Sequence, residues 1–282
     1  MKKLMIKKGN KNFSININYV KYCIGFNYQE KYELKKMIFE YFHNTKITEY
    51  SLNHIGQINI SIDNKEINKK QTLFYYVNHQ YSLHDDLKLS TKSLISKYLE
   101  SFLSQRDYND TILSINILLE SFAIELDSDI IKSQFVTLTP KSLLKLLIPL
   151  YFIEDEQANE YDLSYDEIII VQLKMIEFIS RDIEMTVFCL IEIPELTQAI
   201  KECIQQLNQC IVIVILTSSQ VLLEFKDIYY MSNIIIDCSD DELIYETFLS
   251  KGVCTLKEAK QIMQDIVNKE YQKQQLSITK NI

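Results

Sequence analysis

Tyr22-Cys23-Ile24-Gly25-Phe26-Asn27-Tyr28-Gln29-Glu30-Lys31-Tyr32-Glu33-Leu34 carries a strand-like run into Gly25 and a helix-like run out of Lys31. Gly25 and Lys31 stand at the spacing of the first Gly and the Lys in the phosphate-loop pattern G-x-x-x-x-G-K-[ST]. In a working loop the second Gly lets backbone N–H groups close around phosphate, and the Ser/Thr hydroxyl holds Mg²⁺. Those two places carry Glu30 and Tyr32 here. A carboxylate at position 30 falls where phosphate charge should sit. The stretch therefore reads as a nucleotide-binding architecture that has lost its nucleotide. The alternative is an ordinary strand-turn-helix in which Gly25 and Lys31 meet by chance.

Working outward, a chain of 282 residues with 47% hydrophobic content can fill a substantial core. Only 4 Gly and 3 Pro leave few tight turns, which favours long helices and argues against a β-sandwich. The net charge of −8 speaks against nucleic acid for the chain as a whole, but charge is unevenly spread. Lys2, Lys3, Lys7, Lys8 and Lys11 cluster at the start, Lys65 to Lys70 form a second group, and acids gather between Glu154 and Glu167. The six cysteines form no C-x-x-C pair and sit among apolar residues, as reduced core thiols do. The lysines of the N-terminus precede no apolar leader segment, and no apolar run reaches the roughly 18 residues of a membrane span, so a cytoplasmic protein is expected.

In chain order, Phe13 to Ile24 reads as a strand pair or a bent strand, and Tyr32 to His43 as a helix with Leu34, Met37, Ile38 and Tyr41 on one face. Ile55 to Ile62 alternates, and Asp63-Asn64 offers the turn for a hairpin into Thr72 to Val77. Ser90 is read as the cap of Leu94 to Phe102, and Asn109 or Asp110 as the cap of Ile112 to Phe122. Further helices are read at Leu143 to Phe152, which Pro149 would kink or end, from Asp166 through Ile183, and at Ile193 to Gln209. Ile211 to Leu216 and Ile234 to Ile236 read as buried strands of a parallel sheet, and helices at Glu242 to Leu249 and Leu256 to Gln274 close the chain. The fold expected is an α/β head built from both chain ends, 1–82 and 182–282, interrupted by an all-helical domain at 83–181. The strand at 211–216 ends in Leu216-Thr217-Ser218-Ser219, without the acid that holds Mg²⁺ in nucleotide hydrolases. Asp237 is read as a helix cap rather than a substitute for that acid.

The four histidines show no metal-ligand spacing, and no G-x-S-x-G nucleophile signature occurs. The acidic stretch Glu154 to Glu167 gathers carboxylate oxygens of the kind that hard cations take, but lacks the Gly and spacing of an EF-hand. It is either a Ca²⁺ site or a solvated acidic loop whose last members favour a helix N-terminus.

Glu160-Tyr161-Asp162-Leu163-Ser164-Tyr165-Asp166-Glu167-Ile168, leading into a long helix, resembles the acidic start of the long helix in the CRISPR-associated adaptation proteins of type II-A systems, the ring-forming Csn-two family. The buried strand at 211–216 and the α/β head interrupted by a helical leg are similar to that family too. The resemblance implies a degenerate P-loop-NTPase-like head and a protein without catalysis, assembled as a homotetrameric ring. Such a ring threads onto double-stranded DNA ends through a lysine-lined hole, depends on Ca²⁺, and serves spacer acquisition beside the CRISPR integrase and effector nuclease. Carried over residue by residue, Glu160, Asp162, Asp166 and Glu167 become the Ca²⁺ ligands. The family's DNA-contacting lysines find no match; Lys65, Lys69 and Lys70 are the candidates. This chain is longer than short members around Ile47 to Gln80, which leaves ring dimensions open. The rival readings are an active P-loop-like nucleotide hydrolase with an unusual loop and a helical protein-interaction scaffold.

Overall fold

The computed structural model describes residues 1–43, 57–90, 92–104, 106–181, 184–217, 223–249, 252 and 255–279, with backbone alone at 106–107 and 270–279. Ile47, Ile55, Ile183, Ser218 and Ser219 lie outside these residues, as do His54 and Cys254. The elements run β1 (Lys2–Lys8), β2 (Lys11–Ile17), β3 (Val20–Ile24), α1 (Tyr28–Phe42), β4 (Asn59–Ile62), β5 (Lys65–Glu66) and β6 (Thr72–Asn78). There follow α2 (Leu83–Asp86), α3 (Leu94–Leu103), α4 (Arg106–Glu125), α5 (Pro140–Leu144), β7 (Phe152–Ile153), β8 (Glu156–Gln157) and α6 (Tyr165–Arg181). The last third holds β9 (Thr186–Ile193), α7 (Gln198–Gln206), β10 (Ile211–Leu216), β11 (Ile228–Met231), β12 (Ile235–Asp237), α8 (Asp241–Leu249) and α9 (Leu256–Thr279). The chain is mixed α/β and divides into two compact units, Met1–His79 with Ile183–Ile282, and Gln80–Asp182.

In the first unit a six-stranded sheet runs β12-β11-β3-β10-β9-β6, parallel except for the β11–β12 pair. β10 lies at its centre because Ile211-Val212-Ile213-Val214-Ile215-Leu216 is buried throughout, as a strand covered on both faces must be. It pairs with β3 from Val212↔Val20 to Ile215↔Cys23, so the two strands expected in one sheet are neighbours. A second, antiparallel sheet runs β2-β1-β4-β5. Its inward residues Leu4, Ile6, Phe13, Ile15 and Ile60 meet Leu34, Met37, Ile38 and Tyr41 of α1 and Phe188, Leu190, Ile213 and Ile215 of the large sheet in one core. Cys23, Cys189, Cys210 and Cys238 are buried free thiols, and burial pushes the Cys23 thiol up to about 12.

Several expectations are corrected. The Asp63-Asn64 turn has both residues at positive φ, 48° and 66°, the geometry of a tight hairpin, but it joins β4 to β5 and not to β6. β6 instead lies parallel to β9, from Thr72↔Thr186 to Asn78↔Glu192. The helix expected from Ile193 is preceded by the unanticipated strand β9 and starts only after the cap Thr197, whose hydroxyl accepts the Ile200 N–H. The cap of α3 is Ser93 and not Ser90, and α4 starts before Asn109. Pro140 takes the first position of α5, which ends by Lys145, so no helix runs to Phe152. The second unit is not all-helical either: β7 and β8 form a hairpin turned at Glu154-Asp155 (φ 48° and 68°), and 126–139 forms no helix or strand. Leu83, Ile95 and Met175 centre a small core there, with Tyr81, Leu94, Tyr98 and Val171 against it. Among the described residues no helix is long and apolar enough to cross a membrane.

Asp237 is no helix cap; Asp240 accepts the N–H of Leu243 at the start of α8. The Asp237 carboxylate is 1% exposed, ion-paired with the equally buried Lys21, and accepts the N–H of Asn16 and of Ser239. Lys21 also donates to the Lys226 carbonyl (2.8 Å) and to Ser239 Oγ (2.9 Å). Removing one member of such a pair strands a buried charge, so Lys21→Met is expected to cost about 3–5 kcal/mol in urea unfolding. Lys21→Met/Asp237→Asn should recover part of the loss, because the amide oxygen still accepts from Asn16.

Candidate functional site

The loop after β3 is built around Gly25, whose φ of +104° favours glycine and whose hypothetical Cβ would stand 2.4 Å from the Met231 carbonyl oxygen. β11 therefore presses directly on the loop. Its carbonyl at Met231 accepts the Asn27 N–H (2.9 Å), and Ser232 Oγ accepts the Phe26 N–H (2.9 Å). The Tyr28 N–H goes to the Phe26 carbonyl, the Glu30 N–H to the Asn27 cap oxygen, and the Lys31 N–H to the Asn27 carbonyl. The fold uses these loop amides internally. Lys31 is 3% exposed and donates to the carbonyls of Gly25 and Leu216, tying the loop to the end of β10. Glu30 does not point into the loop; it ion-pairs with Lys11 of β2 at 3.0 Å.

One turn along α1, Lys35 pairs with Glu192 at the end of β9, and the Tyr76 hydroxyl donates to the same carboxylate. Partial burial pulls the Lys35 ammonium down, but its bonds to Glu192 and Tyr76 outweigh this and lift it. Burial, then Glu192, raises the Tyr76 phenol. Glu192 is the acid that ends a central strand in this sheet, and the sequence reading missed it by looking at the end of β10. The signal was Val187-Phe188-Cys189-Leu190-Ile191 running straight into Glu192.

Lys65 lies in β5, and Lys69 and Lys70 in the 3-10 turn Lys69–Gln71; all three are exposed and lie within six positions at one edge of the small sheet. Lys69 stands over the Tyr41 ring at 4.3 Å, whose phenol is raised by burial. The acidic segment is arranged differently. Glu160 accepts from Ser82 Oγ (2.9 Å) and the His84 N–H, Asp162 from the Asn159 N–H (2.8 Å), and Glu167 from the Ser164 N–H and Oγ. The Ser164 hydroxyl and N–H hold the Glu167 carboxyl below the usual range. Asp166 lies in the first turn of α6. Each of the three bonded carboxylates thus satisfies a helix start or turn of its own, and among the described residues no group of three or more His, Cys, Asp or Glu is gathered as a metal site.

The structure of Stu0660 of Streptococcus thermophilus superposes on this chain with a TM-score of 0.63 and 16% sequence identity, over 88% of this chain and 80% of that one. Stu0660 is a Csn-two CRISPR adaptation protein. This chain has the fold of Stu0660. No protein-family model matches the chain, and no curated protein matches it. At this identity the likeness speaks for the fold, while the side chains of the loop are this chain's own. Within this fold, Lys31 acts as a strand clamp: Lys31→Met leaves the Gly25 and Leu216 carbonyls without its ammonium and is expected to lower stability by about 3 kcal/mol in urea unfolding.

Proposed function

We propose that this protein binds double-stranded DNA without sequence preference and without catalysis, as a homotetrameric ring threaded on linear ends, in CRISPR spacer acquisition. It would act beside the CRISPR integrase and effector nuclease in the cytoplasm. The observation that carries this reading is the likeness to Stu0660 along 88% of the chain. The head is then a P-loop-like arrangement whose phosphate loop is closed by its own hydrogen bonds, in agreement with a protein that does not turn over nucleotide. Self-assembly is favoured by the second unit, where Ile130 is 94%, Ile148 86%, Val136 85% and Leu118 69% exposed alongside Leu113, Ile117, Phe122 and Ile124. Soluble monomers seldom leave so much aliphatic surface to water.

Gel shifts with linear and covalently closed duplexes, beside an ATP hydrolysis assay, test the reading. Binding to the linear duplex alone is expected, with no turnover. Turnover abolished by Lys31→Ala would replace this function with a hydrolase, and failure to bind either duplex would leave the interaction scaffold.

Calcium belongs to the proposal as a ligand of Glu160, Asp162, Asp166 and Glu167. The single chain does not preassemble those carboxylates, so their capping bonds would have to be shared or exchanged. Ca²⁺ is expected to raise the melting temperature and shift the mass towards tetramer, whereas Mg²⁺, which demands a tighter octahedron, does so poorly. Identical calorimetric melting and light scattering with Ca²⁺, Mg²⁺ and chelator would remove calcium from the reading.

A further inference from the structure

The first 29 residues contain Lys2, Lys3, Lys7, Lys8, Lys11 and Lys21 and no acid, in a chain whose formal charge is −8. The structure separates these lysines by job. Lys8 pairs with Glu40 at 2.7 Å, Lys11 with Glu30, and Lys21 with Asp237. Lys3 and Lys7 are exposed and make no ion pair among the described residues. Both lie on β1, where Leu4 and Ile6 turn into the core and Lys3, Met5 and Lys7 take the opposite face.

The register fills in the rest of that face. Opposite Lys3, Met5 and Lys7 on β2 stand Asn16, Ser14 and Asn12; opposite Met5 and Lys7 on β4 stand Ser61 and Asn59. The outer surface of three adjacent strands is thus lysine, asparagine and serine around one half-buried methionine, with no carboxylate. The nearest acids of this sheet are Asp63, whose carboxylate accepts the Lys3 N–H at 2.7 Å, and Glu66, which lies opposite Ser61 on the next strand.

We propose that this outer face of β2-β1-β4 is a contact surface for the phosphate backbone of duplex DNA; the inference rests on the DNA-binding reading and assigns it a place. Lysines that make no ion pair among the described residues, flanked by neutral hydrogen-bond donors, are the chemistry that holds phosphate without reading sequence. Lys3 and Lys7 stand four residues apart, about 14 Å along the strand, on the scale of the groove between the two phosphate rows of a duplex. A single strand is disfavoured as the occupant, since binding one calls for aromatic stacking platforms and the face carries none.

The test uses the full chain with both lysines replaced, Lys3→Gln/Lys7→Gln, and Lys8→Gln as the control, each checked by thermal melting. Fluorescence anisotropy against a blunt 30-base-pair duplex and a single strand of equal length is followed from low to high salt. The double variant is expected to lose about 1.8 from the slope of log K against log salt, roughly 0.9 for each phosphate contact, while the control keeps the parent slope. A double variant that melts like the parent and binds with the parent's slope would overturn the assignment and leave DNA binding intact. A parent that fails to bind duplex would overturn both. An equal loss on single strand and duplex would overturn the duplex as occupant.

Discussion

Everything in the first unit hangs on β3, a five-residue strand that carries a buried lysine near its start and leads to another just past its end. β3 comes from the first tenth of the chain and must lie between β10 and β11 from the last third, a closure for which local contacts offer no help. Lys21 meets this demand at one end through Asp237 of β12 and the Lys226 carbonyl. Lys31 meets it at the other through the Gly25 and Leu216 carbonyls. A lysine inside a core is costly unless its donors are used, and here each ammonium bonds groups from distant parts of the chain. The arrangement is therefore selective: another strand beside β3 would leave one of the charges without partners.

The parts of this design that show in the sequence are those whose cause is local. β10 is legible because six apolar residues in succession, five of them β-branched, have one comfortable home in a covered sheet. α6 is legible from its acidic first turn and apolar face. β9 is less so: Val187 to Ile191 is an apolar run and Pro194 follows the strand, but Glu192 breaks the run before Ile193, and the parallel neighbours on both sides are what hold it as a strand. β6 was drawn into a hairpin for the same reason: a turn at Asp63-Asn64 is visible in sequence, whereas a partner more than a hundred residues away is not.

The candidate site divides along the same line. That the loop after β3 departs from the phosphate-loop pattern could be read from Glu30 and Tyr32, but the manner of its closure could not, since the acceptor of the Asn27 N–H is on β11 and one acceptor of the Lys31 ammonium on β10. The lysines of β1 were visible as a cluster, and only the pairing of β1 with β2 and β4 sorts Lys8 inward to Glu40 and leaves Lys3 and Lys7 outside. Residue type proposes a charge; register decides which way it faces.

These two observations bear on one another. In a nucleotide-driven machine, a lysine and loop amides left unbonded at the strand ends bind phosphate, and hydrolysis changes the shape of the loop. Here the loop amides hold β11, Lys31 holds β10, and the acid at the end of β9 is taken by Lys35 and Tyr76. Each group that would respond to a nucleotide is engaged in joining strands. On the reading proposed, a head built in this way has no internal energy source, and its state can change only through what binds it: copies of itself, ions, or a polyanion. Such a protein must present its charge on a rigid surface rather than in a cleft that closes. A sheet face backed by Leu4, Ile6, Phe13, Ile15 and the helix α1 is rigid because its other side is core. The burial of Leu4 and Ile6 thus fixes the lysines of β1 in place.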